Sequence, residues 1–220
     1  MLSPIWAYNC ALCDEPLRRG ETCLCLQCLA KIPRIRRDSE LVYLGAPGNA
    51  VKVCSWFIYN HNDISHRLIH DIKYNDRRRL ARKLGRELAM QKIVDDEKYM
   101  GIDLILPIPL HWTKHLLRGY NQSREIALGI ADVTGCKVGG NLRAVRHHAT
   151  QTRRSREERA RNVVGIFKVT RPDELNSRHI AIVDDVITTG ATMFSALHRI
   201  LELSRPASVT FISLARTEAL

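Results

Sequence analysis

Two carboxylates, Asp184 and Asp185, end the apolar run His179-Ile-Ala-Ile-Val, and Thr188-Thr-Gly-Ala-Thr192 follows them. Successive backbone N–H groups in such a turn, with the N-terminus of the next helix, form a concave anion site. Thr188, Thr189 and Thr192 add hydroxyl donors, and Gly190 allows a close approach or a positive φ. Carboxylates repel phosphate, so Asp184 and Asp185 must serve a neighbouring group, such as ribose hydroxyls or hydrated Mg²⁺. A phosphate site and a diol site a few residues apart suit a ribose 5-phosphate. A Walker-type loop is excluded, because no Gly-Lys-Ser/Thr follows. A strand end with a Thr-rich helix cap is the common alternative; an Asp-Asp pair before Thr-Thr-Gly-x-Thr is far rarer.

A second set of chemical residues lies near the N-terminus. Cys10-Ala-Leu-Cys13 and Cys25-Leu-Gln-Cys28 are two Cys-x-x-Cys pairs, separated by eleven residues. Thiolates at this spacing complete a closed tetrahedral Zn²⁺ site with a structural role. Cys23 is an alternative to Cys25, although it breaks the second pair. Cys54 and Cys136 stand in apolar contexts and read as buried small hydrophobes. Neither a disulfide framework nor a thioredoxin-like redox motif fits the pattern.

The elements that must carry these groups follow from periodicity. Residues 51–60 read as a strand, and Ile64, Leu68, Ile69 and Ile72 put a helix over 64–74. Leu80, Leu84 and Leu88 put another over 77–94. Residues 103–108 read as a strand ended by Pro107 and Pro109; 121–133 read as a helix with Asn121 at its start and Gly135 past its end. Strands are expected over 142–145, 165–169, 179–183 and 208–215, and a helix over 191–203. Such alternation gives an α/β fold, a mostly parallel sheet flanked by helices. Two units are expected: a zinc-binding head over residues 1–35 and an α/β domain over 50–220, the latter with a hood region over about 50–100 and a core over about 101–220. Residues 38–49 are the expected boundary after the head.

The acidic pair and the loop after it resemble the signature of type I phosphoribosyltransferases. In that fold the acids contact the ribose and Thr188, Thr189, Gly190, Ala191 and Thr192 would hold the 5-phosphate. Leu106-Pro-Ile-Pro-Leu-His111, followed by Arg118-Gly-Tyr-Asn-Gln122, looks like the pyrophosphate-side loop of one subgroup, the ComF competence proteins. Arg146, Gln151, Arg159, Asn162 and Phe167 continue that family's pattern. The resemblance therefore covers nearly the whole chain. It implies a phosphoribosyl pyrophosphate site with Mg²⁺, built from Asp184 and Asp185, the phosphate loop, and Leu110, His111, Arg118, Asn121, Arg146 and Gln151. Residues 147–154 would be the flexible loop that closes over substrate. A role in DNA uptake and contacts with other competence proteins are implied too.

No side chain announces itself as a general base, and nothing identifies the acceptor. Two functional readings stand: a phosphoribosyl transferase, or a single-stranded DNA-binding competence factor that reuses the pocket. The formal net charge of +11 suits polyanionic partners in either case. Arg77, Arg78, Arg79, Arg82 and Lys83 form one basic helix face outside the expected pocket, with Trp56, Tyr59 and Tyr74 as the nearest stacking candidates. No apolar run approaches the ~20 residues of a membrane-spanning helix. The expected setting is the cytoplasm, and the protein is not expected to be integral to a membrane.

Overall fold

The computed structural model describes residues 9–36, 39–42, 46–74, 77–99, 101–145 and 166–218. In chain order the elements are α1 (Leu26–Lys31), β1 (Ser39–Val42), β2 (Ala50–Ile58), α2 (Ile64–Tyr74), α3 (Arg78–Lys92), β3 (Leu104–Pro107) and α4 (Trp112–Arg118). They continue with α5 (Gln122–Thr134), β4 (Lys137–Val138), β5 (Leu142–Ala144), β6 (Phe167–Val169), β7 (His179–Ile187), α6 (Ala191–Leu203) and β8 (Ser208–Arg216). Six strands form one sheet in the order β1-β2-β8-β7-β3-β4. Only the edge pair β1–β2 is antiparallel; β2–β8, β8–β7, β7–β3 and β3–β4 are parallel. The fold is α/β, a mostly parallel sheet flanked by helices, as expected.

Alternation along the strands divides the core. Ala181 and Val183 of β7 and Ile105 of β3 face a cluster with Leu68, Ile69 and Ile72 of α2, Leu84 and Leu88 of α3, and Ile126 and Ile130 of α5. Ile180, Ile182, Leu104 and Leu106 face the other side, against Met193, Leu197 and Ile200 of α6 and the small β5–β6 ribbon. From β3 the chain crosses through α5 on one face to β4; from β7 it crosses through α6 on the other face to β8. The carboxyl ends of β3 and β7 thus flank a topological switch point, where open α/β sheets bind ligands.

Local chemistry explains the helix ends. Asn121 caps α5, its side chain accepting from the Arg124 N–H at 3.4 Å, and Gly135 ends the helix in the left-handed region at φ 73°. Within residues 38–49 lies β1, a strand not expected from the sequence, which pairs with β2 as a sheet edge. Sequence periodicity cannot see a strand this short, and α1, α4 and β4 escape it for the same reason.

Helices α3 and α5 approach closely enough to exclude any side chain at two crossing points. A Cβ on Gly129 would sit 2.0 Å from the Arg82 carbonyl oxygen, and one on Gly85 would sit 2.3 Å from that of Ile126. Asp132 of α5 then takes two bonds from Arg82, at 2.8 and 2.6 Å, and an ion pair from Arg86 at 3.5 Å. Alanine in a helix interior is ordinarily about 1 kcal/mol better than glycine. Here the overlap dominates, and Gly129→Ala is expected to destabilise by about 3 kcal/mol, lowering the melting temperature by roughly 10 °C. A thermal melt in which Gly129→Ala equals or exceeds the parent would refute this account of the crossing.

Candidate functional site

A cleft of about 430 Å³ opens at the switch point. Strand β7 runs through the acidic pair to Ile187, so Asp184 and Asp185 belong to the strand itself and line the cleft with Thr188 and Thr192. The turn after β7 passes through Gly190 at φ +71° into the N-terminus of α6. Thr189, Gly190 and Ala191 complete that turn without lining the cleft; the Thr189 hydroxyl accepts from the Ala191 N–H at 3.4 Å. A Cβ on Gly190 would lie 2.9 Å from the Phe194 ring, which packs edge-on against Phe211. Glycine is therefore required there by both torsion and space.

The opposite wall comes from the segment after β3. Leu110, His111 and Arg118 line the cleft. Asn121 supports it from behind: its amide donates to the Ile108 carbonyl at 3.0 Å, which ties the loop to the start of α5. Arg118 donates to Gln122 at 3.3 Å and lies 5.2 Å over the Tyr74 ring. Arg146 and Gln151, with Arg159, Asn162 and the segment 147–154, fall outside the described residues. Phe167 does line the cleft.

The sequence reading missed Lys73, at the end of α2, whose ammonium stands 3.2 Å from the Asp185 carboxylate. It also missed Ser123, whose hydroxyl donates to Asp184 at 2.8 Å, and Tyr59, His61 and Gln122 on the cleft wall. No local pattern marks Lys73, because only the packing of α2 against β7 brings it to the acids. Burial and then the charge of Asp185 push the Asp184 carboxyl up to about 7, against the pull of Ser123, the Asp185 amide and Lys73. Burial works to lower the Lys73 pKa, yet the charges of Asp185 and Asp184 raise it overall. The cleft thus holds a buried and a half-buried acid against one paired lysine.

The four cysteines of the two Cys-x-x-Cys pairs converge, with all ligand atoms within 4.8 Å of one another. Cys13 and Cys25 sulfurs are 3.7 Å apart; four thiolates about 2.3 Å from one zinc ion would be about 3.8 Å apart. The N–H of Cys25 points at the Cys10 sulfur at 3.3 Å, and that of Cys28 at the Cys25 sulfur at 3.4 Å. Burial raises the Cys10 thiol, but the backbone N–H groups of Cys25, Leu12 and Cys13 bring it down to about 6. The donor set fits a structural zinc site. Cys23 lies outside the cluster, and burial pushes its thiol up to about 11. Cys54 is fully buried as expected, whereas Cys136 is half-buried and bonds the Ile102 carbonyl.

The basic face of α3 is largely committed to packing. Arg82 is clamped on Asp132, Lys83 donates to the Thr22 carbonyl at 2.8 Å, and Arg78 donates to the Gly119 carbonyl at 3.1 Å while covering Tyr120. Trp56 is buried beneath Arg34 and donates to Gln91, so it offers no stacking surface. Among the described residues, no helix is long and apolar enough to cross a membrane.

No protein-family model matches the chain. It is 32% identical over 154 residues to the DNA utilization protein YhgH of Salmonella typhi, a match spanning 68% of this chain and 66% of that protein. It is 28% identical over 200 residues to competence protein F of Haemophilus influenzae, spanning 84% and 87% of the two chains. Competence protein ComFC of Bacillus subtilis is 24% identical over 224 residues, spanning 98% of this chain and 81% of that protein. Among solved structures, glutamine phosphoribosylpyrophosphate amidotransferase from B. subtilis superposes on 66% of this chain and 30% of its own, with a TM-score of 0.43 and 20% identity. With its ordered motifs and its relatives matched along the sequence, this chain belongs to the ComF family, the family of competence protein F, ComFC and YhgH.

Proposed function

We propose that the cleft binds 5-phosphoribosyl 1-pyrophosphate and that the protein transfers the phosphoribosyl group to an acceptor still to be identified. The observation that carries this reading is the meeting, in one cleft, of an acid pair, a threonine-rich turn into a helix N-terminus and a basic wall. In this assignment Thr188, Thr192 and the N-terminus of α6 take the 5-phosphate, and Thr189, Gly190 and Ala191 shape the turn. Asp184 and Asp185 take the ribose hydroxyls. His111, Arg118 and the loop at Leu110, with Lys73, face the pyrophosphate. Asn121 holds that loop, and Arg146 and Gln151, outside the described residues, are assigned to the same pyrophosphate side. The acids supply hard oxygen ligands of the kind Mg²⁺ takes, and the ion would offset charge on the leaving pyrophosphate. The chain's own work is positioning and stabilising charge as the glycosidic bond breaks. No protein base is assigned.

The relatives carry the names of competence and DNA utilization proteins, which supports a role in DNA uptake in the cytoplasm, with single-stranded DNA and other competence proteins as partners. The net charge of +11 is consistent with that setting.

Calorimetric titration with the donor, with and without Mg²⁺, tests the pocket. Thr192→Val keeps the side-chain shape and removes one hydroxyl donor, so donor affinity is expected to fall about tenfold or more. Gly190→Val is a poorer probe, because its Cβ strikes Phe194. Undiminished affinity in Thr192→Val, or no Mg²⁺-dependent binding by the parent, would count against the assignment.

A further inference from the structure

A run of rings leads out of the cleft along α2. Tyr59 and His61, on the cleft wall, lie with centroids 5.0 Å apart, and His61 lies 5.6 Å from His66. His66 is 6.2 Å from His70, and His70 is 4.8 Å from Tyr74, whose ring also carries the Arg118 guanidinium. The spacing is dictated by the helix: positions 66, 70 and 74 are four residues apart, so the rings rise about 6 Å per step and span about 12 Å. This is the face of α2 away from Leu68, Ile69 and Ile72, and His61, His70 and Tyr74 are exposed. Tyr59 also packs against the core, but the His61, His70 and Tyr74 rings lie exposed on the outer face of the helix and its approach.

We propose that this stripe is a stacking platform for the bases of single-stranded DNA, which it leads along α2 beside the cleft. The inference rests on the reading of single-stranded DNA as a partner and gives that partner a location. Every base has a π-face, so stacking on successive rings is tolerant of sequence. A duplex keeps its bases stacked on one another and cannot use the platform. Positive charge flanks the rings: Arg67 is exposed three positions before His70, on the same side of the helix, and Arg118 stands at the Tyr74 end. Rings for the bases and guanidinium groups for the phosphates are the two parts that a non-sequence-specific single-strand site needs. The basic face of α3, by contrast, has three of its side chains engaged within the protein.

Fluorescence anisotropy with a labelled 20-mer of thymidylate, across a salt series, tests the platform on the full-length protein. His66→Ala/His70→Ala is expected to weaken binding about twenty-five-fold, taking roughly fivefold per lost stack, with the salt slope unchanged. Arg67→Gln is expected to flatten the slope by about 0.7. An abasic strand of the same length should bind parent and double variant alike. The platform is overturned if the double variant binds the 20-mer as tightly as the parent. Equal weakening for the abasic strand, equal competition by a duplex, or no binding by the parent at low salt would overturn it as well. Melting temperatures confirm that the variants are folded, since both histidines lie on the helix face opposite the core. Donor titration on the same preparations separates the readings: the double variant should bind the donor normally, and failure of the parent to bind donor would sink the pocket assignment alone.

Discussion

Cys10→Ser/Cys28→Ser is expected to lose zinc and to unfold the N-terminal region together with the sheet face it covers. Purified parent should carry one equivalent of zinc, and the variant none. The effect is large because the cysteine head is continuous with the main core. Leu12, Leu24 and Ile32 lie in the same cluster as Trp56, Leu84 and Leu88. Polar contacts reinforce the seam: Thr22 donates to Glu87 at 2.6 Å, Arg34 to Gln91 at 2.6 Å, and the Ile58 N–H to the Pro33 carbonyl at 2.8 Å. A structural zinc site contributes its binding energy to folding, about 10–16 kcal/mol in small zinc peptides, which rivals the 5–15 kcal/mol of a whole domain. A strong chelator should therefore lower the melting temperature of the parent and leave that of the double variant unmoved. Cys23→Ala serves as the contrast, since Cys23 lies outside the ligand set and should cost only the small loss of a buried sulfur. Zinc retained by Cys10→Ser/Cys28→Ser, or lost by Cys23→Ala, would show that the ligands have been misassigned.

The second large effect concerns the acid pair. Asp184→Asn/Asp185→Asn should weaken Mg²⁺-dependent donor binding by more than about a hundredfold, the scale expected when two charge-assisted contacts are removed. Stability should respond in the opposite sense. The Asp184 carboxyl is raised to about 7 in the folded protein, above its unfolded value near 4, so the folded state holds the extra proton. Stability contributed by that proton is intact below about pH 4 and is lost as pH climbs towards 7, on the order of a few kcal/mol in all. Asp184→Asn cannot ionise and should lack this decline. At pH 8, without ligand, the single variant is expected to melt no lower than the parent while binding donor poorly. Melting curves from pH 4 to 8 decide the point: an unchanged pH profile in Asp184→Asn would mean that the carboxylate is not held in the buried, charge-crowded state described.

Much of the scaffold was legible because local signals and tertiary needs coincide. The helix at 122–134 is announced by an Asn cap and a Gly just past its end, and both perform those roles. The strand, turn and helix at 179–203 are set by an apolar run, a threonine-rich turn and a helical stripe, although the strand continues four residues beyond its expected end at Val183. The strand at 39–42 was not legible for a physical reason. Ser39–Val42 is too short and too polar to declare a strand, and it becomes one only because the exposed edge of β2 supplies its hydrogen-bonding partner.

Sequence alone determined which chemistry is present: thiol pairs at metal-binding spacing, an acid pair before a threonine-rich turn, and an α/β alternation to carry them. These are properties of neighbours along the chain, where spacing of a few residues fixes what the side chains can reach together. Tertiary structure decided which distant groups join them. Lys73 meets Asp185 across 112 positions only through the docking of α2 on the sheet, and Ser123 reaches Asp184 from the start of α5. Likewise the fate of each arginine on α3 was settled by what lies opposite it. Arg82 could have faced solvent, but the close crossing at Gly85 and Gly129 brings Asp132 within reach, and a charge that finds a partner there is no longer offered to another molecule.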